Sequence, residues 1–243
     1  MTKAELKNLK QLQQKKYRRL TQSFVVEGWK SITEFLKAGF VPQKIWAVNL
    51  PGTLSSSIKT SVNLVPMRML KQASFLKHPK DAIAVFKMPS AKKIPAKGFI
   101  LALDDLQDPG NLGTIIRTAD WFGFKHIVCS ENTVDCYNPK VVQATMGSLA
   151  HVNLYYTNLP KYLQTVNMPV YGAFLQGENL FKMSLPKSAI VVVGNEGNGI
   201  KPQTSAFINT KITIPKAPGA QAESLNASVA SAIIMQEFFR RLY

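Results

Sequence analysis

Three short stretches of this chain carry side chains that could act on a ligand, and each follows an apolar run. Residues 104–117 read Asp-Asp-Leu-Gln-Asp-Pro-Gly-Asn-Leu-Gly-Thr-Ile-Ile-Arg and offer the Asn111 amide and the Arg117 guanidinium. Helical side chains lean toward the N-terminus, so Arg117, just past Gly113 and Thr114, reaches back over the Gly110-Asn111 loop, where it could grip an anion. Position alone favours a plainer reading, an arginine on a solvated helix face. Residues 194–199, Gly-Asn-Glu-Gly-Asn-Gly, carry one acid, Glu196, and residues 223–226, Glu-Ser-Leu-Asn, carry Ser224 and Asn226. Together the three stretches supply hydrogen-bond donors, acceptors and charge. The first loop does not fit a G-x-G-x-x-G dinucleotide fingerprint, and the second lacks the Lys-Ser/Thr of a P-loop. Cys129 and Cys136 have no C-x-x-C spacing, and His78, His126 and His151 are scattered, so neither reactive thiols nor a metal site is expected.

The elements that must position these groups follow from periodicity. The apolar run 98–104 reads as a strand, and Leu112, Ile115, Ile116, Ala119 and Phe122 mark one face of a helix over 111–122. Asp108 suits its N-cap and Pro109 its first turn. The loop between them lies at the strand's C-terminal end, where open α/β sheets bind ligands. The rest of the second half repeats the pattern, with strands expected over 126–129, 151–155, 169–174, 189–194 and 208–214 and helices over 138–146, 158–166 and 224–242. Such alternation gives a mainly parallel sheet covered on both faces. Upstream, strands are expected near 24–27, 44–48, 61–65 and 82–86, a helix over 29–38, and a basic helix or frayed arm over 3–19. The Pro/Gly/Lys-rich stretch 89–98 reads as a linker, which divides the chain into residues 1–90, a linker 91–97 and residues 98–243.

Charge separates the two parts. Residues 1–98 hold 19 Lys+Arg against 4 Asp+Glu, whereas residues 99–243 are nearly neutral with 11 against 10. Almost all of the +16 net charge therefore sits in the N-terminal part and favours a polyanionic partner held through phosphate contacts. The N-terminus is polar and Lys-rich without a signal-like apolar segment, and no apolar run is long enough to span a bilayer; a soluble cytoplasmic protein is expected.

The three motifs, in this order, resemble the SpoU/TrmH family of RNA ribose 2′-O-methyltransferases, within the SPOUT class. The stretch Phe24-Val-Val-Glu-Gly-Trp-Lys-Ser-Ile-Thr-Glu34 also resembles the start of that family's small RNA-binding domain, similar to ribosomal-protein-L30e-like folds. The resemblance implies an α/β chain in which an L30e-like domain over 1–90 precedes a SPOUT domain over 98–243 with a C-terminal trefoil knot. It implies S-adenosyl-L-methionine as cofactor, held by Ala173, Leu175, Gly194, Ile214 and Leu225, with Gly194 kept free of a side chain to leave room for the ligand. It assigns catalysis to Asn111, Arg117, Glu196, Ser224 and Asn226 and implies a homodimer. Structured RNA is the implied partner, ribosomal RNA ahead of transfer RNA, and Lys15, Lys16, Arg18, Arg19 and Lys30 are candidate RNA contacts. A non-catalytic RNA-binding protein on the same fold is the alternative, against which the intact Asn111, Arg117, Glu196 and Asn226 argue.

Overall fold

Apolar runs such as Ala82–Phe86 and Ala189–Val193 must be covered on both faces. The computed structural model, which describes residues 1–52, 54–90 and 92–242, buries both runs, in two α/β units. Thr53, Ala91 and Tyr243 lie outside the described residues, and with them the first position of the expected linker and the last of the expected C-terminal domain. The first unit holds the chain up to Ser90 together with Asp135–Ala150, and the second holds the remainder.

The first unit runs α1 (Lys3–Gln11), α2 (Lys15–Thr21), β1 (Ser23–Glu27), α3 (Trp29–Lys37), β2 (Pro42–Ala47), α4 (Ser56–Lys59), β3 (Val62–Leu64), α5 (Met67–Ala73) and β4 (Ala82–Lys87). Its mixed sheet has the order β1-β4-β2-β3, antiparallel except for the β2–β3 pair. The second unit runs β5 (Phe99–Leu103), α6 (Pro109–Trp121) and β6 (His126–Ser130). After α7 (Pro139–Ala144), in the segment grouped with the first unit, it resumes as β7 (Asn153–Thr157), α8 (Leu159–Thr165), β8 (Val170–Asn179), β9 (Ala189–Val193), α9 (Pro202–Ser205), β10 (Thr210–Thr213) and α10 (Ala227–Leu242). Its six strands are all parallel, in the order β10-β8-β9-β5-β6-β7. Parallel strands place their following loops on one edge, so the loops after β5, β9 and β10 share the sheet's C-terminal edge.

Three details differ from the periodicity. The basic N-terminal stretch is neither one helix nor a frayed arm. It forms α1 and α2, and Leu9 and Leu12 bury themselves in the first unit's core. A capping box starts α1: Thr2 Oγ1 accepts from the Glu5 amide, and the Glu5 carboxylate accepts from the Thr2 amide at 2.8 Å. Secondly, α10 begins at Ala227, which leaves Ser224 and Asn226 ahead of the helix. Thirdly, residues 135–150, inside the span expected for the second domain, group with the first unit. Asp135 takes an ion pair from Arg18 at 2.5 Å, and the Tyr137 ring lies 4.6 Å from that of Phe24, among the rings of Phe35, Phe40 and Phe86.

Aromatic packing fixes the helices that carry the motifs. Phe238 of α10 sits 4.7 Å from Phe99 of β5, and Phe239 sits 5.3 Å from Phe122 at the end of α6. Each such pair contributes about 0.5–1.5 kcal/mol beyond its buried area. The C-terminal part of α10 is thereby held against β5 and the end of α6.

Candidate active site

Asn111 is where the three stretches meet. It lies in the first turn of α6, whose N-cap Asp108 accepts the Asn111 backbone amide at 2.7 Å, with Pro109 behind it. Its side-chain Nδ2 donates to Glu196 Oε1 at 2.8 Å, and its Oδ1 accepts from Asn226 Nδ2 at 2.9 Å. Asn226 in turn caps α10: its Oδ1 accepts from the Ser228 amide at 2.9 Å and the Ser228 hydroxyl at 2.6 Å. Residues 85 and 115 positions away from Asn111 thus join it in one polar chain along the sheet's edge. The capping of two helices sets its geometry, because both Asn111 and Asn226 stand at helix starts. Glu196 is exposed, and its Oε2 accepts no hydrogen bond among the described residues.

The glycine-rich loop that presents Glu196 is tied to the loop after β5 by groups the motifs did not single out. Asp104, 2 % exposed, accepts the Lys201 amide at 2.9 Å, and Lys201 Nζ pairs with Asp105 at 2.7 Å. Asn195 Nδ2 donates to the Asp105 carbonyl at 2.9 Å, while its Oδ1 accepts the amides of Gly197 and Asn198. Asp105 holds a left-handed backbone at φ 62°, a conformation aspartate tolerates better than most residues. The visible signal was two acids at a strand end and an asparagine after another strand; only the parallel β5–β9 pairing says they meet.

Arg117 is exposed on α6 and makes no hydrogen bond or ion pair among the described residues. It follows Asn111 by a helical rise of about 9 Å. Ser224 is likewise exposed and does not bond to Asn111, Glu196 or Asn226. The polar chain therefore contains three of the five expected residues, with Arg117 and Ser224 left free toward solvent.

The residues expected to hold a cofactor fall on the same edge. Where β8 pairs with β10, the register jumps from Lys211–Gly172 to Ile212–Glu178, so residues 173–177 bulge out of the ladder. Ala173 and Leu175 sit in this bulge, and Leu175 is 73 % exposed. A Cβ on Gly177 would lie 2.6 Å from the Lys211 carbonyl oxygen, so the strands close again only over a glycine. Thr213 Oγ1 donates to the Leu175 carbonyl at 3.1 Å and braces the bulge. Ile214 is half-buried, and Leu225 is 47 % exposed. At Gly194 the structure adds a second reason for glycine: a Cβ would lie 2.1 Å from the Gly199 carbonyl carbon and 2.3 Å from the Ile200 nitrogen. A side chain there collides with the loop's own return, so the glycine also serves the loop's shape.

Among the candidate RNA contacts, Lys15, Lys16, Arg19 and Lys30 are exposed. Arg18 must be removed from that group. It is 2 % exposed, with Nε and Nη2 on Asp135 and Nη1 on the carbonyls of Leu12 and Gln13, so its guanidinium has no face left for phosphate. Cys129 is buried, and burial pushes its thiol up from the ordinary range despite a hydrogen bond with Tyr156. No group of His, Cys, Asp and Glu among the described residues could hold a metal, and no helix there is long and apolar enough to cross a membrane.

The chain is similar to known proteins over nearly its whole length. The model of the SpoU rRNA Methylase family matches residues 98–236, and that of an MRM3-like substrate binding domain matches residues 3–84. The chain is 33 % identical over 240 residues to the Bacillus subtilis 23S rRNA (guanosine(2553)-2′-O)-methyltransferase RlmP, covering 95 % of this chain and 94 % of that protein. It is 25 % identical over 294 residues to human mitochondrial rRNA methyltransferase 3, covering 93 % of this chain and 69 % of that one. An AdoMet-bound rRNA methyltransferase structure from Sinorhizobium meliloti superposes with a TM-score of 0.88 at 26 % identity, covering 100 % of this chain and 97 % of the other.

Proposed function

The chain belongs to the SpoU methylase family, and from that premise we propose that it transfers a methyl group from S-adenosyl-L-methionine to a ribose 2′-hydroxyl of ribosomal RNA. The observation that carries the reading is the chain Glu196–Asn111–Asn226, which joins the loop after β9 to the starts of α6 and α10 at the edge where parallel sheets bind ligands, with Arg117 free on α6. The ribosomal substrate rests on the full-length likeness to RlmP and on the match of residues 3–84 to a substrate binding domain.

The residues on the edge suit the cofactor. Leu175 and Leu225 offer exposed apolar side chains of the kind a bound adenosyl group covers, and Ala173 and Ile214 belong to the same two segments. When bound, the cofactor supplies an electrophilic sulfonium methyl. The chain's own task is then to hold the ribose hydroxyl in line, take its proton and stabilise the charge that develops. Asn111 orients the Glu196 carboxylate, whose Oε2 remains open to accept a proton. Ser224 adds a free hydroxyl on the loop before α10. Arg117 acts as a cationic clamp on the phosphate beside the target ribose. A neutral guanidinium at pH 7 costs roughly 7 kcal/mol, which argues against arginine as the literal base. Lys15, Lys16, Arg19 and Lys30 serve the RNA backbone.

A second copy of the chain completes the reading. Trp121 at the end of α6 is 83 % exposed and Val229 in the first turn of α10 is 47 % exposed, separate apolar side chains on these two helices that a homodimer would cover. Offering the protein purified ribosomal RNA and transfer RNA separately, with methyl-labelled cofactor, tests the substrate. Incorporation into ribosomal RNA supports the reading, and incorporation into transfer RNA alone overturns its ribosomal part.

A further inference from the structure

A cavity of about 450 Å³ opens in the first unit between α1, α2 and the sheet, well inside the part of the chain that carries the excess positive charge. Its floor is apolar and buried: Leu12 is 5 % exposed, Trp46 3 % and Val85 8 %. Its rim is made of carboxamides. Asn8 and Gln11 make no side-chain hydrogen bond among the described residues. Gln43 uses only its Oε1, which accepts from Ser23 Oγ at 2.9 Å, and leaves its NH₂ group free. The one lysine on the cavity, Lys44, is paired with Glu5 and lies 6.0 Å from the Trp46 ring, so the mouth carries little net charge.

This chemistry is wrong for a phosphate, which would seek an unpaired cation, and wrong for a purely apolar segment, which would leave the carboxamides without partners. It suits a planar group with apolar faces and an amide-like edge. Unstacked bases in RNA are held in this way, their edges hydrogen-bonded by side-chain amides and their faces against apolar groups. We propose that this cavity captures one unpaired nucleobase of the RNA on which the enzyme acts. The flanking phosphates then fall to Lys15, Lys16 and Arg19 on α2, the helix whose Tyr17 and Thr21 also line the cavity. The inference rests on the RNA-methyltransferase reading and adds to it a specific contact outside the catalytic edge.

The test uses the full-length protein and purified ribosomal RNA in a salt-titrated binding assay. The variant Asn8→Ala/Gln11→Ala/Gln43→Ala removes only rim groups and leaves Leu9, Leu12 and Trp46 in the core. It should bind RNA about tenfold to a hundredfold more weakly with an unchanged salt slope, because a base contact and no phosphate contact is lost. Lys15→Ala/Lys16→Ala/Arg19→Ala should instead flatten the slope. A second measurement does not depend on the variant's folding: wild-type protein irradiated with 4-thiouridine-substituted ribosomal RNA should cross-link within residues 8–23 or 43–46. Equal affinity in the rim variant, a flattened slope in it, or cross-links only elsewhere would overturn the base-capture proposal while leaving the enzyme reading intact. No RNA binding by the wild-type protein would overturn both.

Discussion

Replacing Asn111 by Asp turns the hub of the polar chain against itself. The wild-type Nδ2 donates to Glu196 Oε1 at 2.8 Å, and the variant would set a second carboxylate there. Two unit charges 2.8 Å apart repel by about 1.5 kcal/mol at the dielectric constant of water and by about 6 kcal/mol at an effective value of 20. Glu196 is exposed and Asn111 half-buried, so the cost lies toward the lower figure, about 1.5–3 kcal/mol. That range lowers turnover roughly 10- to 100-fold at neutral pH, if Glu196 must keep its position to work. The same repulsion favours a pair that shares one proton. A protonated Asp can again donate, so the loss should shrink as the pH falls. Asn111→Ala, which lacks a donor at every pH, should show a constant loss. The assay is single-turnover methyl transfer at saturating cofactor from pH 5.5 to 8.5, read as the ratio of variant to wild-type rate. A flat ratio for Asn111→Asp, or wild-type activity in it throughout, would refute the proposed coupling of Asn111 to Glu196.

Three further outcomes follow from the same structure. Arg18→Met should cost about 3–5 kcal/mol in urea unfolding, because Asp135 loses its buried partner, and Asp135→Asn in the same chain should recover part of it; the salt slope of RNA binding should not change, since the Arg18 guanidinium faces protein. Gly194→Ala should weaken cofactor binding through a displaced 194–200 loop, visible as altered amide signals from Asn195 to Lys201 even without ligand, because its Cβ meets Gly199 and Ile200; unchanged loop signals with lost binding would restore the simpler idea that the side chain fills ligand space. Burial, with Lys92 and Lys125 nearby, holds the His126 imidazole below its ordinary 6.5, so the unfolded chain takes up a proton first and stability falls as the pH drops below 6.5. His126→Phe should remove that component of the pH dependence, measured by urea midpoints between pH 5 and 8.

The parallel sheet was legible because its strands are continuous apolar runs broken by turn residues, and the start of α6 was legible because Asp108 and Pro109 are local signals. The motif residues could be named, but not their mutual contacts. Asn111 reaches partners 85 and 115 residues away, and nothing local encodes those distances. Arg18 shows the same limit in the other direction. Within a run of lysines and arginines it reads as solvated or RNA-facing, yet an acid 117 residues later draws it into the core. The β8 bulge over 173–177 was invisible because a single apolar-to-polar transition looks the same whether a strand ends or loops out and resumes. Asn226 was read one turn too deep into a helix. Small residues from Ala227 onward extend a helical pattern backward, and only the side-chain cap marks its true start.

The most direct test of the account is the chemical position of the transferred methyl group. Ribosomal RNA incubated with the protein and methyl-labelled S-adenosyl-L-methionine is hydrolysed in alkali, which cleaves at every ribose bearing a free 2′-hydroxyl. The account predicts label in alkali-stable dinucleotides for the wild-type protein and almost none for Arg117→Ala, which should still bind the cofactor. Label released wholly as mononucleotides, no transfer by the wild-type protein, or full activity in Arg117→Ala would contradict it.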